Sequence, residues 1–182
     1  MRKTRKLQRG AAYHVVARAN RQEFILSTDT VKQLFLKALL GAKKRYRFEV
    51  ITLCVMSNHV HLMLRPGRDE SLSRIMQWLL SVFAIRFNNL FGIHGHVWYD
   101  RFKSKVIESL RQFVATFRYI LENPVRAGIV EKPTDYRYGD YGFARDGPPG
   151  LIDRAAAALN MSLPTNVDRH RLVRAIELTG VT

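Results

Sequence analysis

The sequence predicts an α+β fold of the ferredoxin-like split βαβ type, a four-stranded antiparallel sheet with helices on one face. Three observations support that class. Apolar residues repeat with strand and helix periods in the order β-α-β-β-α-β-α. Two of the β-type runs are separated by only three residues, a spacing typical of a hairpin. The chain has 182 residues, about one domain, and its apolar content of 47% is enough for a buried core.

The first half of the chain supplies three strands and a helix. YHVVARA (13–19) is rich in β-formers and predicts the first strand. TDTVKQLFLKALLGAKKRY (28–46) follows an N-cap candidate with apolar residues at helical spacing, so it predicts a helix. RFEVITLCV (47–55) and HVHLMLRP (59–66) predict two antiparallel strands.

The second half supplies two helices and the fourth strand. SLSRIMQWLLSVFAIRFNNLFG (71–92) is a long amphipathic helix ended by glycine, FKSKVIES (102–109) is a strand, and LRQFVATFRYILEN (110–123) is a helix. DGPPG (146–150) predicts a linker, and the two short helical patterns in 151–182 are too small to fold alone. We therefore expect a main domain over 1–145 and a linker with a helical C-terminal extension over 146–182.

The net charge of the chain indicates which class of molecule it binds. The 30 Lys and Arg outnumber the 15 Asp and Glu, which gives a net charge of +15. A folded domain this basic typically binds nucleic acid, and a membrane surface is the weaker alternative. No apolar run approaches the roughly 18 residues of a spanning helix, so we expect no membrane partner and a cytoplasmic, nucleoid-associated protein.

Two histidines flank a valine at the start of the predicted strand 59–66. Side chains two apart on a strand share a face about 7 Å apart along it, so His59 and His61 can converge on one ion while Val60 enters the core. Two partly buried or surface histidines with no ligand role fit the same spacing. A metal site needs a third ligand.

Tyr119 and Asn123 can complete such a site from the predicted helix 110–123. They are four residues apart and share one helical face. An amide oxygen suits Mg²⁺ or Mn²⁺, and a phenol beside the ion can attack a phosphate that the ion polarises. The structural alternatives are that Asn123 caps the turn before Pro124 and that Tyr119 is an amphipathic core residue.

Several motifs together carry a family resemblance. HVH (59–61) is an HUH motif, with U a bulky hydrophobe, and it stands with YHVVARANRQEFIL (13–26), WYDRFKS (98–104), RYILENPVRAGIV (118–130) and DYRYGDY (135–141). In this order, over about residues 8–143, the chain resembles the REP-associated tyrosine transposases, a branch of the single-tyrosine HUH transposases of bacterial insertion sequences.

The resemblance implies a metal-dependent endonuclease and strand transferase acting on single-stranded or hairpin DNA. It implies that Tyr119 attacks a phosphodiester to form a 5′-phosphotyrosine link, and that His59, His61 and Asn123 hold Mg²⁺ or Mn²⁺. The resemblance does not decide the oligomeric state, so a monomer and a homodimer are both compatible with it. The rival interpretation is a non-catalytic DNA- or RNA-binding protein derived from a transposase.

The candidate DNA-binding residues combine charge with an aromatic ring. They are Arg5, Lys6 and Arg9 of a basic arm, then Trp98, Arg101, Lys103, Lys105 and Arg118 near the inferred site. Cations with stacking surfaces suit unpaired bases, although basic arms are also common as solubilising tails. His94 and His96 are expected in a loop that could approach DNA, and His14 is expected to be a residue of the first strand whose hydrogen bonds are satisfied.

Overall fold

Four antiparallel strands form one sheet in the computed structural model, which describes residue 8 and residues 10–153. The strands are β1 (Ala12–Arg18), β2 (Phe48–Val55), β3 (His59–Pro66) and β4 (Lys103–Ile107), in the spatial order β2-β3-β1-β4. The predicted class is confirmed. The arm residues Arg5, Lys6 and Arg9 and the helical patterns after residue 153 lie outside the described residues.

The register of the central strands assigns side chains to the two faces. Val16 of β1 lies opposite His61 of β3, and Arg18 lies opposite His59. Directly opposite residues of an antiparallel pair share a face. We call this side of the sheet, which also carries His14, the histidine face.

Two helices cover the other face. They are α1 (Asp29–Arg45) and α2 (Leu72–Phe91), which pack on each other, with the rings of Phe35 and Phe83 5.7 Å apart between centroids. The face they cover carries Val15 and Leu62, both wholly buried. Local signals set the helix ends as predicted: α2 begins after Ser71, whose side chain accepts from the Arg74 N–H, and ends at Gly92 with φ 61°.

The third helix, α3 (Leu110–Arg126), lies on the histidine face, so the expectation that all helices share one face is wrong. Its apolar side buries Phe113, Phe117 and Ile120, which need a second apolar surface because α1 and α2 occupy the first. The helix also continues one turn past the predicted end at Asn123. Pro124 removes one N–H donor, but the Ala127 N–H still bonds to the Asn123 carbonyl, so the helix continues.

The chain after α3 packs along the outer edge of β2. The Val55 N–H donates to the Tyr138 carbonyl at 2.9 Å, and a short helix, α4 (Asp140–Asp146), follows. Asp153 accepts from the Val50 N–H and forms an ion pair with Lys43. The division at residues 145 and 146 stays a prediction. Among the described helices, none has the length and apolar character required to cross a bilayer.

Candidate active site

The two histidines of the HVH motif converge as their spacing predicts. Their ring centroids are 4.8 Å apart, with the planes nearly perpendicular. The β3 strand turns both side chains to the histidine face, where His61 is 4% exposed and His59 is half-buried. Val60 between them is wholly buried on the opposite face, so the alternation of the strand separates the polar pair from the core.

Helix α3 brings the other two predicted residues to this pair. The buried side chain of Asn123 hydrogen-bonds to the ring of His59. One turn earlier, the ring of Tyr119 lies 5.4 Å from that of His61 between centroids. Tyr119 is 38% exposed, so a substrate can reach it. The structure thus places all four predicted residues in one cluster.

His14 is a fifth member of the cluster, and the sequence interpretation missed it. Its Nε2 lies 3.0 Å from Nδ1 of His61, the two rings stack with centroids 5.2 Å apart, and its edge faces the Tyr119 ring at 5.9 Å. His14 is a hydrogen-bonded residue of β1, as expected, but the sequence did not predict its partner, because only the register of β1 against β3 sets His14 beside the HVH pair. The alternating positions His14, Val16 and Arg18 carried a signal, since a face with two polar residues is not the core face.

A hydrogen bond at the far side of the His59 ring selects its tautomer. His59 Nδ1 lies 2.6 Å from the Asn58 side-chain oxygen, which can only accept, so Nδ1 carries the proton and Nε2 keeps its lone pair. Nε2 of His61 is buried and has no hydrogen-bond partner among the described residues. It can act as a ligand when His61 Nδ1 holds the proton and donates to His14.

All three imidazoles are held neutral. Burial, followed by the charges of His59, His14 and Arg18, lowers the pKa of His61 to about 3. Burial and then Arg18 lower the pKa of His59, and burial and then Lys105 lower that of His14. A metal ligand must offer an unprotonated nitrogen, so these shifts favour coordination at neutral pH.

The residues fit a divalent cation. The unpartnered Nε2 of His61 is the kind of buried polar atom that an ion satisfies, and an amide and a second imidazole stand beside it. Within the described part of the chain, no group of three or more His, Cys, Asp or Glu side chains is arranged to hold a metal. The candidate set here is therefore two imidazoles and one amide.

The predicted cations near the site are exposed. Lys103 and Lys105 lie opposite Val16 and His14 in the β1–β4 pair, so both belong to the histidine face. Arg101 precedes them in the adjoining loop, and Arg118 is exposed on α3 next to Tyr119. A further cation, Arg126, places its guanidinium 5.5 Å from the centre of the Tyr119 ring.

Trp98 has a different environment from the one expected of a stacking surface. Its indole N–H donates to the Leu80 carbonyl at 3.0 Å, and its ring packs 5.1 Å from that of Phe83. The neighbouring Tyr99 is 71% exposed instead. A DNA-binding role for Trp98 stays a prediction, while Tyr99 offers the open aromatic ring.

Comparisons with known proteins identify the family of the chain. The family model described as "Transposase IS200 like" matches residues 8–123. The REP-associated tyrosine transposase of Escherichia coli (strain K12) is 27% identical over 157 residues, covering 84% of this chain and 89% of that protein. A solved structure of a REP-associated tyrosine transposase bound to a REP hairpin superposes with a TM-score of 0.67 at 22% identity. That match covers 92% of this chain and 94% of the other, and it bears on the fold.

Proposed function

Because the chain belongs to the IS200-like transposase family, we propose that it is a metal-dependent endonuclease and strand transferase that acts on single-stranded, hairpin-forming DNA. One observation carries the proposal. A partly exposed tyrosine stands 5.4 Å from a buried, neutral histidine whose free nitrogen faces no protein partner among the described residues. A tyrosine and a histidine that only stabilised the fold would not need an exposed hydroxyl beside an unpartnered ring nitrogen.

Tyr119 is the proposed nucleophile. Its phenol oxygen attacks a backbone phosphorus and loses its proton to solvent, while the bond from that phosphorus to the 3′ oxygen breaks and the departing 3′ oxygen takes a proton from solvent. The products are a 5′-phosphotyrosine link and a free 3′-hydroxyl. The guanidinium of Arg126 over the ring stabilises the negative charge that develops on the oxygen.

His59, His61 and Asn123 are the residues proposed to hold the ion, Mg²⁺ or Mn²⁺. When bound, the ion supplies charge stabilisation to the phosphate oxygens during an in-line displacement. Asn58 fixes the tautomer of His59 from behind, and His14 accepts from Nδ1 of His61 in the tautomer that leaves Nε2 free for the ion. His14 is thus a positioning residue.

The same residues account for strand transfer. The covalent link preserves the energy of the phosphodiester, and attack by a 3′-hydroxyl on that link rejoins DNA without hydrolysis. Tyr119 reaches its histidines within one chain, so we propose that it acts in cis and that a monomer is sufficient for cleavage.

Phosphate contacts are proposed for Arg101, Lys103 and Lys105, which lie beside the site and are exposed. The excess of basic residues, +15 overall, favours a polyanionic partner. These contacts position the strand but carry no sequence information.

Covalent capture tests the proposal. Labelled single-stranded hairpin DNA is incubated with the protein and Mn²⁺, resolved by denaturing electrophoresis, and the adduct is mapped by peptide mass spectrometry. The expected adduct is on Tyr119, requires the metal, and is absent in Tyr119→Phe. Tyr46→Phe is the matched control, because Tyr46 directly follows α1, away from the histidine face, and should leave the adduct unchanged.

Two outcomes contradict the proposal. An adduct that persists in Tyr119→Phe assigns the nucleophile elsewhere. Hairpin binding with no adduct over a broad panel of sequences indicates instead a non-catalytic DNA-binding protein.

A further inference from the structure

A cavity of about 370 Å³ opens next to the candidate active site. Its floor is formed by strand residues and its walls by the loops that follow β1 and precede β4. We call it the arginine pocket, defined by Val16, Arg18, Arg21, Tyr99, Arg101 and Lys103. Its volume lies in the range of small-ligand sites, which begins at about 300 Å³.

The pocket is one strand away from the HVH pair. Val16 lies opposite His61 and Arg18 lies opposite His59 in the β1–β3 register, and neighbouring strands are about 5 Å apart. The charge of Arg18 also contributes to the lowered pKa of both histidines. A strand whose phosphate lies at the histidines therefore has its next nucleotide within reach of the pocket.

The lining suits a nucleotide with an unpaired base. Four cations surround the space and all are exposed, while Asp100, the one lining carboxylate, has interactions of its own within the fold. Tyr99 presents a ring that is 71% exposed. Cations that track a backbone, together with an aromatic ring on which a base stacks, are the combination found in single-strand binding sites.

The pocket walls are held in place by the backbone. Arg21 and Gln22 adopt left-handed conformations, with φ of 50° and 59°, which are unfavourable for side chains of this kind. Neighbouring bonds fix them: the Ala19 N–H donates to the Asn58 carbonyl, the Asn20 N–H to the Val97 carbonyl, and the Tyr99 N–H to the Arg18 carbonyl. Strained residues held by their surroundings are common at ligand sites.

We propose that the arginine pocket binds one unpaired nucleotide adjacent to the phosphate that Tyr119 attacks. The base stacks on Tyr99, and the arginines contact the flanking phosphate. This inference rests on the proposed function and adds a subsite that admits only an unpaired base, because a base inside a duplex has both faces covered by its stacked neighbours.

Fluorescent base substitution tests the pocket. Hairpin DNAs with single-stranded flanks, each carrying 2-aminopurine at one successive position of the flanks, are titrated with metal-free protein. One position should be quenched on binding. Quenching should persist in Tyr99→Phe, which keeps the ring, and disappear in Tyr99→Ala with an affinity loss of about 5- to 150-fold.

Two further variants supply controls. Phe24→Ala removes another exposed ring, 68% exposed and not part of the pocket lining, and should leave both readouts unchanged. Arg21→Gln should lower the slope of log affinity against log salt by about one contact.

The outcomes separate the pocket from the chemistry. A Tyr119 adduct together with quenching that Tyr99→Ala does not alter refutes the pocket and leaves the proposed function standing. Position-specific quenching that depends on Tyr99, without any adduct, supports the pocket and refutes the chemistry. Equal affinity losses in Tyr99→Ala and Phe24→Ala also refute the pocket.

Discussion

Lowering the pH from 7 to 5 should destabilise the metal-free protein through His61. In the folded protein burial holds the pKa of His61 at about 3, whereas an imidazole in an unfolded chain titrates near 6.5. Below pH 6.5 the unfolded state therefore binds a proton that the folded state does not, so stability falls as the pH falls toward 3. The loss attributable to this group at pH 5 is about 2 kcal/mol, from 1.5 pH units at about 1.4 kcal/mol each.

Urea denaturation in the presence of a chelator measures the effect. Wild type, His61→Gln and His94→Gln are unfolded at pH 7 and at pH 5, and each variant is compared with itself. Between pH 7 and pH 5, the free energy of unfolding of wild type should fall by about 2 kcal/mol more than that of His61→Gln. This corresponds to a difference of about 1 M urea in the shift of the denaturation midpoint. His94 is exposed in the loop before β4, so His94→Gln should behave as wild type.

This comparison isolates the imidazole because effects of the substitution that do not depend on pH cancel. If His61→Gln loses as much stability in acid as wild type, His61 is not held neutral by the fold. The argument for a ready metal ligand at that position then fails as well.

Three other predictions concern separate parts of the molecule. His14→Leu should weaken Mn²⁺ binding by about 10- to 100-fold in calorimetry, whereas His14→Gln, which still accepts from His61, should recover most of the affinity; equal losses contradict the tautomer role. Gly142→Ala should lower stability by about 1–3 kcal/mol in thermal unfolding, because its Cβ would lie 2.1 Å from the Arg137 carbonyl oxygen; an unchanged melting temperature contradicts that close approach. If the three cations of segment 101–105 all contact phosphates, affinity for single-stranded DNA should fall about 20-fold between about 50 and 200 mM salt, and affinity independent of salt excludes such contacts.

Local patterns were sufficient to predict the elements. The strand 59–66 was predicted with its observed limits, and the helix 71–92 brackets α2 because a serine cap and a left-handed glycine mark its ends. The pairing of Tyr119 with Asn123 followed from helical spacing alone. These features depend on residues a few positions apart, so a single sequence contains them.

The rest of the site depends on contacts between distant segments. His14 and His61 are 47 residues apart, and only the β1–β3 register brings them together. The burial of the Trp98 ring depends likewise on a distant contact, the isolated β-bridge between Trp98 and Ala19. With Trp98 held there, the next side chain, Tyr99, faces solvent. The face chosen by α3 follows from which side of the sheet α1 and α2 already cover. Periodicity cannot specify any of these, because it describes each segment alone.

The side chain of Asn58 connects the two halves of the proposed site. Its oxygen accepts from the His59 ring, and its Nδ2 donates to the Gln22 carbonyl in the wall of the arginine pocket at 3.3 Å. We therefore expect a nucleotide that displaces this wall to change the orientation of the His59 ring toward the proposed ion. Coupling of this kind is reciprocal, so whatever factor DNA applies to ion affinity, the ion applies to DNA affinity. If DNA and the ion bind as proposed, the Asn58 amide makes each of them an effector of the other.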